Sequence, residues 1–218
     1  LELIDYGWQS TPPQGYLVKA HTKYFIVVEG VTPPTVHSIT LLEHTEIRPG
    51  EDVLDIGTGS GIQAIFAADK ARRVVATDID PKAVNNARIN VDRYELGKRV
   101  DLRVGDLFDP IKENEKFDVV IFNLLYPVDN ESNHLWTVHE RFFKTVQNYL
   151  RPNGRIYYQA GIIDNIPQIK KLVEKHGLRI MRINMYADRA HEREPIIFLL
   201  QRQSDTPSLV NQQPSTPP

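Results

Sequence analysis

From Glu51 onward, short runs rich in apolar and β-branched residues alternate with longer stretches whose apolar positions recur at helical spacing. The short runs are Asp52–Ile56, Arg73–Asp78, Val100–Val104, Phe117–Asn123, Arg155–Gln159, Arg179–Asn184 and Pro195–Gln201. Between most of them lie the helical stretches Ile62–Lys70, Lys82–Tyr94, Leu135–Leu150 and Ile166–His176. Strands that alternate with helices of about 10–15 residues predict a parallel sheet covered on both faces. Local signals mark the joints. Asp80 reads as a helix cap with Pro81 in the first turn, and Pro152-Asn153-Gly154 stops the long helix before the next strand. The last two strands are joined by a short polar segment, Met185–Glu194, with no helix, which suits an antiparallel final strand. The expected fold class is α/β: a doubly wound, mostly parallel sheet of seven strands with the last antiparallel.

The first fifty residues break this pattern. They hold paired prolines (Pro12-Pro13, Pro33-Pro34), the aromatics Tyr6, Trp8, Tyr16, Tyr24 and Phe25, and one β-like run, Lys23–Val28. The stretch is too short for a domain of its own, so residues 1–45 are expected to form an arm or lid on a domain spanning 46–203. Residues 204–218 are rich in Pro, Ser and Gln and hold no aromatic side chain. They are expected to form a flexible tail. No internal repeat is visible.

Composition narrows the class. A chain of 218 residues that is 41% hydrophobic and 25% charged can bury a sizeable core without covalent staples. No window is apolar for the roughly 18 residues a membrane span needs. Cysteine is absent, which removes disulfides, thiolate metal sites and cysteine nucleophiles. The formal charge of −2 carries no general footprint for nucleic acid, although a local basic groove stays open. The chain opens on Leu1 rather than methionine, so trimming ahead of it is expected. The opening decapeptide has neither a basic nor an apolar region of a secretory signal, and a cytoplasmic protein is expected.

The chemistry gathers at predicted strand ends. Val53–Ile56 runs into Gly57-Thr58-Gly59-Ser60-Gly61, with Asp55 two positions before the first glycine. Glycines suit a tight turn and close approach of a ligand. The spacing is not Gly-x-Gly-x-x-Gly, and an acidic residue there would repel a pyrophosphate while suiting an ammonium or sulfonium group. The next strand ends on Asp78, placed to accept from the two hydroxyls of a ribose, or else to cap a turn. Asp80 is read as the helix cap. After the third strand, Gly105-Asp106-Leu107-Phe108 places Asp106 where it would accept from an adenine amino group. The fourth strand closes on Asn123, which either faces the same crevice or starts a turn, and Leu124-Leu125-Tyr126-Pro127 follows.

These stretches resemble the class I S-adenosylmethionine-dependent methyltransferases over roughly Thr32 to Arg202. Within that class the chain resembles the HemK/PrmC-like group, which modifies planar nitrogens. The matching segments are DIGTGSG, VVATDIDPKAVNNARIN, GDLF and FDVVIFN. The group's strand-four motif, Asn-Pro-Pro-Tyr/Phe, here reads Asn123-Leu124-Leu125-Tyr126, with both prolines replaced. Its proline-containing segment before the first strand has a looser echo in Gly30–Thr35, and there is no room for its N-terminal helical recognition domain. The resemblance implies a Rossmann-like methyltransferase fold and S-adenosylmethionine as cofactor. It implies cofactor contacts from Asp55, Gly57, Thr58, Gly59, Gly61, Asp78, Ile79, Asp106, Leu107 and Asn123. It also implies substrate contacts from Pro34, Thr35, Leu124 and Tyr126, with Asn123 and Tyr126 at the chemistry.

An amide or exocyclic amine donates poorly because its lone pair is delocalised. Accepting its hydrogens at the Asn123 side chain and the Leu124 carbonyl would localise that pair by preorganised electrostatics. Tyr126 either stacks on the planar group or simply packs. The seven histidines show no metal-ligand spacing: His134 and His139 are five apart, and His37 and His44 lie too far apart for one turn. They read as surface or packing residues, and no metal is assigned. Tyr157-Tyr158 reads as core, and Arg72-Arg73 and Lys170-Lys171 as solvated pairs. The leading function is methylation of a nitrogen on a protein or RNA. The alternatives are a small-molecule methyltransferase and a cofactor-binding homologue without turnover, with a dinucleotide oxidoreductase disfavoured by Asp55 and the glycine spacing.

Overall fold

The computed structural model describes residues 15–124, 133–160, 163–185 and 195–205. The predicted strands appear as β3 (Asp52–Ile56), β4 (Arg73–Asp78), β5 (Val100–Val104), β6 (Phe117–Phe122), β7 (Leu150–Ala160), β8 (Leu178–Met185) and β9 (Ile196–Arg202). They form one seven-stranded sheet in the order β5-β4-β3-β6-β7-β9-β8. β3 is parallel to β4 and β6, and β6 to β7, whereas β9 is antiparallel to both of its neighbours. The last strand is therefore antiparallel, as expected. β7 starts at Leu150, earlier than the sequence pattern suggests. A register irregularity between Phe117 and Val119 lets Pro152 enter the strand without a ladder donor being lost.

Helices α2 (Ile62–Ala67), α3 (Pro81–Arg93), α4 (Asn133–Val146) and α5 (Ile166–Lys175) connect the strands. Asp80 caps α3 by accepting from Lys82 N at 2.8 Å, with Pro81 in the first turn. Apolar cores fill both faces of the sheet. One joins Leu54, Phe122 and Tyr158 to Phe142 and Phe143 of α4 and Val173 of α5. The other joins Val53, Val74 and Ile121 to Ile65 of α2 and Val91 of α3. All of β3 is buried, as a central parallel strand must be.

Two elements ahead of β3 went unread in the sequence. Helix α1 (Val36–His44) starts on a capping box in which Thr35 Oγ1 accepts from Ser38 N and Ser38 Oγ accepts from Thr35 N. Strand β1 (Gly15–Ala20) pairs with β2 (Lys23–Val28) in an antiparallel hairpin. The hairpin docks on α3 by side-chain hydrogen bonds to its backbone. Asn86 accepts from Val28 N, Asn90 accepts from Ile26 N and also donates to Ile26 O, and Tyr94 exchanges bonds with Tyr24 N and O. The match is metrical. Every second strand residue advances about 6.6 Å and every fourth helix residue about 6 Å, so positions 86, 90 and 94 meet 28, 26 and 24. A strand edge that would otherwise be open is thereby satisfied. Among the described residues, no helix is long and apolar enough to cross a membrane.

Candidate active site

The carboxyl ends of β3, β4, β5 and β6 lie side by side, which is where open α/β sheets bind ligands. The glycine-rich loop leaves β3 there. Gly57 has φ +75° and Gly59 φ +55°, both in the left-handed region that glycine tolerates. A Cβ on Gly57 would come within 1.9 Å of Leu124 Cδ2, so the residue after Asn123 packs directly on the loop. A Cβ on Gly59 would approach the Thr32 carbonyl oxygen at 3.9 Å, so the proline-bearing segment passes over the loop.

Four of the five N–H donors of the loop are already spent. Gly57 N and Thr58 N both donate to Thr77 O, at 2.8 and 2.9 Å, and Gly61 N donates to Thr58 O at 2.8 Å. Gly59 N donates to Asp78 Oδ2 at 2.9 Å. A phosphate cradle needs such N–H groups pointing outward. This loop offers carboxylates instead. Asp55, 1% exposed, accepts from Thr58 Oγ1 at 2.7 Å. Burial pushes its carboxyl up to about 7 from an ordinary 3.8, against the lowering effect of the Thr58 hydroxyl, and the Asp78 charge adds to the rise. Asp78 Oδ1 accepts from Asp80 N, which fixes the carboxylate at the strand end. Beside it, Ile79 is 67% exposed and Val104 49%, an apolar shelf for a planar ring at the ends of β4 and β5.

The expected contacts do not all stand ready. Asp106 forms an ion pair of 2.9 Å with Arg141 of α4, so its carboxylate already has a cationic partner. Leu107 is buried at φ +49° and its carbonyl accepts from Thr77 Oγ1. Pro34 is buried, and the Thr35 hydroxyl serves the α1 cap. Asn123 lies at the end of β6 and donates Nδ2 to Ser38 Oγ at 3.3 Å. Tyr126 and Leu125 lie outside the described residues. His139 is fully buried and its Nδ1 shares a 2.7 Å hydrogen bond with the Tyr158 hydroxyl, whose proton burial holds far above the ordinary phenol range. Among the described residues, no cluster of His, Asp or Glu could hold a metal ion.

Sequence reasoning missed Ser38, Gln63, Arg141 and Gln159. A Thr35 cap followed by apolar Val36, Ile39, Leu41 and Leu42 was a readable helix signal and would have found Ser38. Nothing local marks the other three.

The family model for ribosomal protein L11 methyltransferase (PrmA) matches residues 29–188. The chain belongs to this family. An L11 methyltransferase of Caldicellulosiruptor bescii is 39% identical over 144 residues, 63% of this chain and 41% of that protein. One from Geobacillus kaustophilus is 35% identical over 161 residues, covering 73% and 47%. The chain thus spans less than half the length of these PrmA relatives. In fold it is similar to the ribosomal protein L11 methylase of Lactobacillus delbrueckii (TM-score 0.65, 21% identity, 81% and 84% covered). It is also similar to a tRNA m1G37 methyltransferase of M. jannaschii (TM-score 0.68, 17% identity, 88% and 58% covered). The Rossmann-like methyltransferase fold and the class I assignment stand. The narrower resemblance to the HemK/PrmC-like group is not what the family match supports; it runs to PrmA instead. The two central leucines of NLLY had already marked that departure.

Proposed function

We propose that this chain transfers a methyl group from S-adenosylmethionine to a nitrogen of a protein, with ribosomal protein L11 as the acceptor that PrmA membership points to. The observation that carries the reading is the glycine-rich loop. Its Gly57, Thr58, Gly59 and Gly61 N–H groups are paired within the protein and its neighbours are the carboxylates of Asp55 and Asp78. Such a site fits a cation and a ribose better than a pyrophosphate.

Bound there, S-adenosylmethionine supplies an electrophilic methyl group on a sulfonium. Asp78 keeps lone pairs for the ribose hydroxyls, Ile79 and Val104 give an apolar surface for the adenine, and Asp55 places negative charge beneath the loop. Asp106 reaches the adenine only by sharing itself with Arg141. Asn123 is oriented by Ser38, whose Oγ accepts a hydrogen bond from Asn123 Nδ2, which leaves Oδ1 to accept an N–H of the incoming nitrogen. The Leu124 carbonyl is a second acceptor, and Tyr126 a surface on which a planar group would stack. A planar nitrogen is the narrower form of this reading. The stretch around Thr32, which passes over the loop, serves as its lid, and an enzyme of this substrate acts in the cytoplasm.

The test is transfer of labelled methyl from S-adenosylmethionine to purified L11, to ribosomal RNA and to a metabolite extract. Label is expected in L11, and Asn123→Ala should slow it about 10²–10³-fold with cofactor affinity retained. Label in RNA or metabolites alone, or cofactor binding with no transfer to any of the three, overturns the reading.

A further inference from the structure

Three side-chain amides gather under α1, at the carboxyl ends of β6 and β7, with fewer partners than their burial demands. β6 and β7 run parallel with Phe122 opposite Tyr158. The residues that follow, Asn123 and Gln159, therefore stand level and face the same side of the sheet. That side is the one α1 covers. Ile197, which pairs with Gln159 across β9, packs in the core on that side, and Asn123 reaches Ser38 of α1.

Gln159 is 0% exposed, and among the described residues neither its Oε1 nor its Nε2 has a hydrogen-bond partner. Gln63 of α2 donates Nε2 to the Ser38 carbonyl at 2.7 Å and leaves its buried Oε1 without a donor. Asn123 donates Nδ2 to Ser38 and its Oδ1 accepts nothing among the described residues. A buried amide with both ends unpaired is rare in native proteins. Stability alone would favour leucine at 159, beside apolar Ile197.

Position supplies the reason for a glutamine. The sheet order β4-β3-β6-β7 sets the glycine loop and Asp78 over β3 and β4, and Asn123 over β6. β7 then lies on the far side of Asn123 from the cofactor, where an acceptor would enter. We propose that Gln159, buried in this structure, is uncovered as the protein substrate seats, and that its carboxamide, with the unpaired oxygens of Asn123 and Gln63, then holds the methyl-accepting nitrogen through its N–H groups. This rests on the methyltransferase reading above. An acceptor-rich lining of this kind selects a nitrogen bearing at least two N–H groups, either a primary amine or a primary amide.

The test compares wild type with Gln159→Leu, and with Gln159→Asn as a shorter amide. Two measurements are made: affinity for unmodified L11 in saturating S-adenosylhomocysteine, and steady-state methylation of L11. Gln159→Leu should bind S-adenosylhomocysteine as wild type does and melt at the same or a higher temperature. Its affinity for L11 should fall tenfold or more and its KM rise to match, and Gln159→Asn should recover part of both. Affinity and KM within twofold of wild type overturn the proposal. So does a joint loss of melting temperature and S-adenosylhomocysteine affinity in both variants, which marks a structural role. Wild type that neither binds nor methylates L11 fails at the parent reading and takes this one with it, a failure visible before any variant is made. Acid hydrolysis of labelled L11 separates the two nitrogen sources: a methylated side-chain amide releases methylamine, whereas a methylated amine stays on its amino acid.

Discussion

At Asp55 the proposed function predicts a link between folding and ligand binding. In the unfolded chain it ionises near 3.8, and in the folded chain, where burial disfavours the charge, near 7. Between those values the folded state binds more protons. The stability Asp55 contributes is fully present below pH 3.8 and is lost as pH rises toward 7. A cation bound beside it favours the carboxylate and reverses the preference. S-adenosylmethionine affinity should therefore rise with pH between about 5.5 and 7.5, with a proton released near pH 6. Calorimetry in buffers of different ionisation enthalpy measures both, and a flat profile with no proton release would contradict the assignment. Asp55→Asn should flatten the profile and raise the melting temperature at pH 7.

At the scale of elements, the hairpin and the glycine loop are joined through one helix. Asn90 of α3 holds Ile26 N and O on β2 and also donates to Ser60 O in the loop, at 2.9 Å. Its side chain is fully buried. Asn90→Ala takes the side-chain partner from two backbone groups, Ile26 N and Ser60 O, and should cost on the order of 3 kcal/mol in urea unfolding. Because Ser60 sits in the loop, cofactor affinity should fall as well. Asn86→Ala removes only the Val28 N and Ile26 O contacts and should leave that affinity closer to wild type. Equal losses in the two variants would mean that the hairpin, and not the Ser60 contact, supports the loop.

Across the whole molecule, the starts of β3 and β4 are held by charge. Arg103 binds Glu115 through two nitrogens, at 2.6 and 3.0 Å, and Arg73 reaches the same carboxylate at 2.8 Å. Asp52, 1% exposed, is met by Arg72 and Arg151. Glu115 is held at about 2 from an ordinary 4.5, chiefly by the Arg103 hydrogen bonds. The stability it contributes is present above pH 4.5 and lost as pH falls toward 2. Glu115→Gln should lower stability at pH 7 by about 1–3 kcal/mol, because Arg103 and Arg73 lose their shared charged partner while Arg103 keeps Asp101. The variant should also lose most of the wild type's decline between pH 4.5 and 2, read by thermal melts across that range.

Local pattern was enough to determine that strands β3 to β9 exist, though it ran the helix to Leu150 and missed that Pro152-Asn153-Gly154 lies inside β7. It also determined the antiparallel last strand, the α3 cap and the glycine turn, because each depends on periodicity or on backbone freedom within a few residues. The places of Asp55, Asp78 and Asn123 at or beside the ends of β3, β4 and β6 were legible for the same reason: parallel strands deliver their ends to one edge. Helix α1 carried a cap signal that the preceding Pro33-Pro34 and its short length obscured. Other features depended on the folded chain alone. The docking of β2 on Asn86, Asn90 and Tyr94 arises because strand and helix repeats happen to match across some sixty residues of sequence. Arg72 and Arg73 looked like a solvated pair until the sheet brought Asp52 and Glu115 to them. Asp106 met Arg141, and Gln159 came level with Asn123, only through the packing of α4 and the pairing of β6 with β7. A hydrogen bond or an ion pair is set by distance in space, and no local spacing encodes which distant residue will fill it.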